Sequence, residues 1–328
     1  MQISKEHLIG DLKRIGIEEG DHVAIALSLK SIGNVIGGPE AFLESMLSVI
    51  GSEGTLMVNT FTNLYPLSRI PLNYVFDQDS TVPNTGLVPR TFLNLKEVIR
   101  SRHPAVSVAA VGKFAQYLTE GHDEHSPFYL PYERLARIDG KYLFIGIDDR
   151  LVGVRHEAQR LAGLWVVPKY MGVTYLNPEK KCNLFVCRMP PCVTSNPRLV
   201  PVLERMSILK RGRIGNADAI LAPANGLPEA MTKILKKDPT LNLCDDVLCL
   251  RCRELERRMK LYKRIRNPHL FQRNFFIRKI VNFRNKLALK KYSYIAYCNN
   301  TRINRKDPFE LIEDVLTRIL NKTKKILQ

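Results

Sequence analysis

A histidine among carboxylates is the clearest chemical signal in this chain. His156 sits in VRHEAQRL, with Glu157 beside it and Asp148 and Asp149 shortly upstream. An imidazole exchanges protons near neutral pH, and a carboxylate that orients the ring supports its protonated form. The stretch therefore offers His156 as a general base, with Glu157 or Asp148 as its partner. The plainer reading is a surface histidine on an amphipathic helix. HEAQR is not a zinc-protease motif, because Arg160 stands where the second histidine would be. No G-x-S-x-G nucleophile elbow is present.

Two other clusters carry potential metal ligands. Cys244, Cys249 and Cys252 have a spacing that can hold zinc if Cys182, Cys187 or Cys192 completes the set. Buried thiols are the alternative. His122, Asp123, Glu124 and His125 are ligand types in one short loop without a distant partner. No metal is assigned to either.

A third signal is the glycine-rich stretch Ser28 to Gly38, which includes Leu29, Lys30, Ser31, Gly33 and Gly37. A loop of this kind that opens a helix can turn backbone N–H groups and the positive end of the helix dipole towards an anion. It matches neither the P-loop nor the G-x-G-x-x-G pattern, and a tight strand-to-helix turn reads equally well.

The elements that must position these residues follow from periodicity. His22–Leu29 and Thr55–Phe61 read as buried strands around a helix that starts at Pro39. Residues 3–16 form an earlier amphipathic helix. Val106–Val111 and Lys141–Ile147 read as further strands, and Val154–Leu161 as the helix carrying His156. Asn63–Thr85 and residues 119–131 read as loops. Residues 164–193 read as antiparallel strands, and 197–210, 226–237, 252–291 and 308–327 as helices. Alternation of strands and helices makes the fold class α/β with a mixed sheet.

The 328 residues, 45% of them hydrophobic, suffice for a sizeable core. No apolar run approaches a membrane span, and the N-terminus is an amphipathic helix pattern rather than a signal peptide. The expectation is a cytoplasmic protein with reduced thiols. A net charge of +18 favours anionic ligands and concentrates from Arg251 to Lys291. The division expected is residues 1–250 as one domain and 251–328 as a basic helical extension.

Several separated blocks together resemble the aminoglycoside N3-acetyltransferase family. They are SLKSIGNVIGGPEAFLESMLSVIGSEGTLMVNTFT; Phe76-Asp77 with Asn84-Thr85-Gly86; RSRHPAVSVAAVG with Ser126-Pro127; GKYLFIGIDDRLVGVRHEA; and KRGRIGNADAILAP. The resemblance implies a mixed α/β sandwich that uses acetyl-CoA as co-substrate. It implies that Ser28, Leu29, Lys30, Ser31, Gly33, Gly37 and Gly38 help hold coenzyme A, with polar contacts from Arg100, Ser101 and Ser107. It implies His156 as the base that deprotonates an acceptor amine. Three positions depart from the family pattern: Ala26 replaces a histidine, Gly153 a threonine and Gln159 an acidic residue.

The resulting expectation is acetyl transfer to a small-molecule amine acceptor, an anionic or nucleotide-linked amino sugar in polysaccharide synthesis. An aminoglycoside acceptor is the alternative within the family. A non-catalytic polyanion- or membrane-binding protein is the alternative outside it, its basic C-terminal region meeting an anionic membrane surface rather than a specific nucleic acid. Self-association as a homo-oligomer is left open.

Overall fold

The computed structural model describes residues 2–71, 73–147, 151–165, 170–188, 190–192, 198–244, 246 and 249–258. In chain order the elements begin with β1 (Gln2–Ile3), α1 (Lys5–Ile15), β2 (His22–Leu27), α2 (Leu29–Ile32), β3 (Asn34–Val35), α3 (Gly38–Ile50) and β4 (Thr55–Asn59). The short β5 (Tyr65–Pro66) and β6 (Val75–Phe76) precede α4 (Leu87–Phe92), β7 (Ile99–Arg100), β8 (Val108–Gly112), α5 (Ala115–Thr119) and α6 (Leu130–Arg137). Then come β9 (Lys141–Ile145), α7 (Val154–Leu161), β10 (Tyr170–Leu176) and β11 (Cys182–Arg188). The described chain ends with α8 (Val200–Arg205), β12 (Lys210–Ile214), β13 (Ala217–Pro223), α9 (Leu227–Lys237) and α10 (Leu250–Arg258).

The chain divides into two compact units. The first takes in residues 1–62, 78–165 and 191–253, and the second 63–77, 166–190 and 254–328. The first holds a seven-stranded sheet in the order β12-β13-β9-β2-β4-β8-β7. At its centre β2 runs parallel to both β4 and β9, with Ala26 opposite Phe144 and Leu27 opposite Ile145. The flanking pairs are antiparallel. The mixed sheet read from the sequence is therefore the one observed.

One face of this sheet is covered by α1 and α3. Leu8, Leu12 and Ile15 of α1 and Phe42, Met46 and Ile50 of α3 recur at helical spacing and form one buried cluster with Val23, Ile25, Leu56, Val58, Leu143 and Ile145. Each such side chain contributes about 1.5–3 kcal/mol by leaving water. Ser4 caps α1 by accepting from the His7 N–H, and Gly16, at φ 111°, closes it. On the other face Tyr142 lies between Tyr132 of α6 and Phe144, with ring centroids 5.8 and 6.0 Å away. The Tyr132 hydroxyl donates to Asn59 Oδ1 at 2.5 Å.

The second unit pairs β10 with β11 antiparallel over seven residues, from Tyr170↔Arg188 to Leu176↔Cys182. β5 joins β10 antiparallel and β6 joins it parallel. Leu67 and Ile70 are buried there against Tyr65, Leu184 and Val186.

Three segments differ from the sequence reading. Part of the expected loop 63–85 forms β5 and β6, because β10 supplies a strand edge for them. α6 begins at Leu130, inside the segment read as a loop, with Pro131 in its first turn, where a missing N–H costs nothing. β12 and β13 form a hairpin in a stretch that lacks an apolar alternation at Lys210–Arg213. Of the basic region beyond residue 250, only α10 is described; the helices expected over 259–291 and 308–327 lie outside the described residues. No helix among the described residues is long and apolar enough to cross a membrane.

Candidate active site

His156 occupies the first turn of α7, the helix that follows the C-terminal end of β9. Ligands of open α/β sheets gather outside the carboxyl ends of such strands. Gly153 forms the turn into α7 at φ 83°, and a Cβ there would lie 2.2 Å from the Tyr132 hydroxyl. This accounts for glycine at this position: Tyr132 fills the space, and the backbone conformation disfavours a branched residue.

The His156 Nδ1 lies 2.6 Å from Gln159 Oε1, one helical turn on. The Gln159 amide is itself oriented, because its Nε2 donates to Asn242 Oδ1 at 2.5 Å. Gln159 and Asn242 are both buried. With the Gln159 amide in this orientation its oxygen accepts, so His156 Nδ1 carries the proton and Nε2 the lone pair. Loss of hydration is the main cause that lowers the His156 pKa to about 4; repulsion from Arg155 adds to it and the Gln159 bond opposes it. The ring is a neutral acceptor at physiological pH.

The orienting role expected for Glu157 falls to Gln159 instead. The Glu157 carboxylate is buried and gripped by Arg160, whose Nε and Nη2 donate at 2.8 and 2.5 Å. His156 and Glu157 are adjacent in the helix, so their side chains point to different faces. Asp148, the other carboxylate named as a partner, lies outside the described residues. A glutamine three residues after a histidine is on the same helix face, and that spacing is the signal that identifies Gln159.

The glycine-rich stretch sits at the end of the neighbouring strand. Ser28 follows β2 and caps α2 by accepting from the Ser31 N–H at 3.3 Å, and its own N–H donates to the Ile145 carbonyl of β9. The Ser31 hydroxyl reaches Ser28 Oγ at 2.9 Å and the Gly146 carbonyl at 3.1 Å. Gly146, at φ 61°, has no room for a side chain: a Cβ would stand 2.4 Å from the Ser31 Cβ. Leu29 and Lys30 complete this turn, and Gly33 closes α2 at φ 112°. Gly37 and Gly38, at φ 79° and 61°, make the entry to α3 that Pro39 then continues. Ser31, Phe144 and Gly146 line a cleft of about 440 Å³ together with Arg211, Asn216 and Asp218. The last three come from the β12–β13 hairpin, and the sequence reading gave them no role.

Arg100, Ser101 and Ser107, expected to supply polar contacts to coenzyme A, make their hydrogen bonds within the protein. All three are buried. Arg100 Nη1 donates to the carbonyls of Gln78 and Thr81 at 3.1 and 2.6 Å, and Nη2 donates to that of Thr60 at 3.1 Å. The Ser107 hydroxyl donates to the Thr60 carbonyl at 2.7 Å. Ser101 Oγ accepts from the Val108 N–H at 2.9 Å and meets His122 Nδ1 at 2.9 Å. Their polar groups are committed to partners within the protein.

The loop ligands at 122–125 do not converge on a metal. His122 is buried between Ser101 and the Phe128 carbonyl, and desolvation lowers its pKa to about 4. His103, whose Nδ1 accepts from the N–H groups of Ala105 and Val106, packs against it at 4.9 Å. His125 is exposed. The sulfurs of Cys192, Cys244, Cys249 and Cys252, in contrast, all lie within 4.8 Å of one another. Cys182 and Cys187 lie in β11, in the other unit.

A family model described as aminoglycoside 3-N-acetyltransferase matches residues 25–236. Among curated proteins, the chain is 30% identical over 177 residues to aminoglycoside N(3)-acetyltransferase VII of Streptomyces paromomycinus, covering 49% of this chain and 61% of that one. It is 31% identical over 192 residues to aminoglycoside N(3)-acetyltransferase III of Serratia marcescens, covering 53% and 69%. The match to the first of these thus spans about three fifths of its length. Among solved structures, the apoenzyme of aminoglycoside acetyltransferase AAC(3)-IVa superposes with a TM-score of 0.66 at 24% identity, over 78% of this chain and 98% of that one. A binary complex of AAC-IIIb with CoASH does so at 0.62 and 20%, over 72% and 97%. These likenesses establish the fold.

Proposed function

Because the chain belongs to the aminoglycoside 3-N-acetyltransferase family, we propose that it transfers an acetyl group from acetyl-CoA to an amine of an aminoglycoside. The observation that carries this reading is the bond from His156 Nδ1 to Gln159, which leaves Nε2 as the acceptor of a proton. The acceptor amine, an ammonium ion in neutral water, gives up one proton to solvent to free its lone pair and a second to Nε2 as its nitrogen attacks the thioester carbonyl. The carbon–sulfur bond breaks, and the departing thiolate of coenzyme A takes up a proton and leaves as the thiol. Holding amine and thioester together lets the transfer proceed without a covalent enzyme intermediate. The cleft at Ser31 and Gly146 is the proposed coenzyme A side, and the co-substrate makes this a cytoplasmic reaction.

Gln159 supports the neutral ring and cannot offset the charge of the imidazolium that forms. Gln159→Glu is expected to raise the His156 pKa and to increase kcat at neutral pH by about tenfold. The buried Nδ2 of Asn242 has no hydrogen-bond partner among the described residues, so a rotated Asn242 amide can donate to the new carboxylate. A fall in kcat with a folded variant would count against the assignment.

The net charge of +18 is the ground for a second acceptor, an anionic amino sugar, but most of it lies outside the part of the chain that carries the candidate site. Residues 251–328 hold 22 Lys and Arg against 6 Asp and Glu, so they carry +16 of the +18 and leave +2 on residues 1–250. The part of the chain that carries the candidate site is therefore nearly neutral, and repulsion of a polycation is weak there. Release of coenzyme A thiol, followed with a panel of amines, tests the two. Turnover of an aminoglycoside supports the first reading, turnover of nucleotide-linked amino sugars alone supports the second, and no turnover with any amine overturns both.

A further inference from the structure

We infer that Cys192, Cys244, Cys249 and Cys252 bind one zinc ion in a closed, structural site. Their sulfurs lie within 4.8 Å of one another, with Cys192 to Cys249 at 3.7 Å and Cys244 to Cys252 at 3.5 Å. A tetrahedral zinc with Zn–S bonds of about 2.3 Å sets its sulfurs about 3.8 Å apart. A disulfide would need about 2.05 Å, and all four are free cysteines. Four sulfurs drawn from two separate segments thus already stand at the spacing of a sulfur tetrahedron.

The local chain has the form such sites use. Cys249 and Cys252 make a C-x2-C step at the start of α10, and Cys244 precedes them by five residues. The Cys244 N–H donates to Cys252 Sγ at 3.3 Å, a bond that favours a thiolate. Four thiolates around a divalent ion leave a charge of −2. Two guanidiniums stand against the strand of chain that bears Cys192: Arg155 Nη2 donates to the Cys192 carbonyl at 3.4 Å, and Arg251 Nη1 to that of Pro191 at 3.2 Å. An all-sulfur tetrahedron selects zinc over magnesium or calcium, and four protein ligands leave no position for a reacting water. Binding releases the thiol protons to solvent. The ion would tie Cys192 to the segment that begins two residues after Asn242, the group that orients Gln159.

The test is metal content. The full chain, purified under reducing conditions from zinc-supplemented cells, is expected to carry one zinc per chain by elemental analysis. The double variant Cys249→Ser, Cys252→Ser is expected to carry none, while Cys182→Ser retains it. Replacing the metal of the unmutated chain with Co²⁺ is expected to give thiolate-to-cobalt charge-transfer bands and the intense visible bands of tetrahedral coordination, a readout that stands even if the double variant fails to fold. Reduced protein free of zinc that gives no cobalt–thiolate bands overturns the inference. So does iron in place of zinc, or zinc retained by the double variant. None of these readouts depends on acetyl transfer.

Discussion

Ser28–Ser31 and Arg100–Ser107 carry the same side-chain chemistry, hydroxyls beside a cation, and the fold puts them to opposite uses. In the first stretch Ser31 and Lys30 are exposed, and Ser31 lines the cleft at the ends of β2 and β9. In the second, Arg100 and Ser107 are buried and hold the carbonyls of Thr60, Gln78 and Thr81, while Ser101 is buried against the Val108 N–H and His122. A residue type suited to phosphate says little until its donors are counted. A buried guanidinium must satisfy its N–H groups inside the protein, and once it has done so nothing is left for a ligand.

Substitutions should separate the two stretches. The largest effect is expected at Arg100→Ala, which removes a buried guanidinium that donates to the carbonyls of Thr60, Gln78 and Thr81 and should cost about 3–4 kcal/mol in urea unfolding. A variant of unchanged stability with weakened coenzyme A binding would instead move Arg100 to the ligand. Acid comes next. His122 is held at about 4 in the fold and returns to about 6.5 when unfolded, so the unfolded chain binds the extra proton between these values. Stability should be full above pH 6.5 and fall by about 3 kcal/mol as pH drops towards 4. Desolvation lowers the pKa of His103 as well, in the same direction. Unfolding free energies that stay flat from pH 7 to 4 would contradict a neutral buried pair.

Smaller effects belong to the open stretch. Gly146→Ala forces a Cβ against Ser31 at a left-handed φ, which should cost about 1–2 kcal/mol and raise KM for acetyl-CoA. Ser31→Ala should change stability by no more than about 0.5 kcal/mol and still raise that KM, because its hydroxyl is exposed. Equal effects of Ser31→Ala and Arg100→Ala on stability would erase the contrast between the stretches.

Much of the frame is legible in the sequence because it rests on periodicity. β2, α3, β4, β9 and α7 fall where apolar runs and helical spacing put them. β12 escapes because Lys210, Arg211 and Arg213 give an edge strand a charged surface without apolar alternation. The site is less legible, since its contacts join distant residues. Gln159 is findable by its helical spacing from His156, but Asn242 lies 83 positions beyond it and becomes a neighbour only through the fold. Likewise the spacing of Cys244, Cys249 and Cys252 suggests a cluster, while Cys192 is seen to stand with them only in the fold.

The most direct test of the proposed reaction is coenzyme A release by His156→Ala with acetyl-CoA and an aminoglycoside acceptor at saturating concentrations. Removal of the base is expected to lower kcat by about 10²–10⁴-fold while acetyl-CoA still binds, because the cleft at Ser31 and Gly146 is untouched. A folded variant that turns over at the rate of the unmutated protein would contradict the assignment of His156.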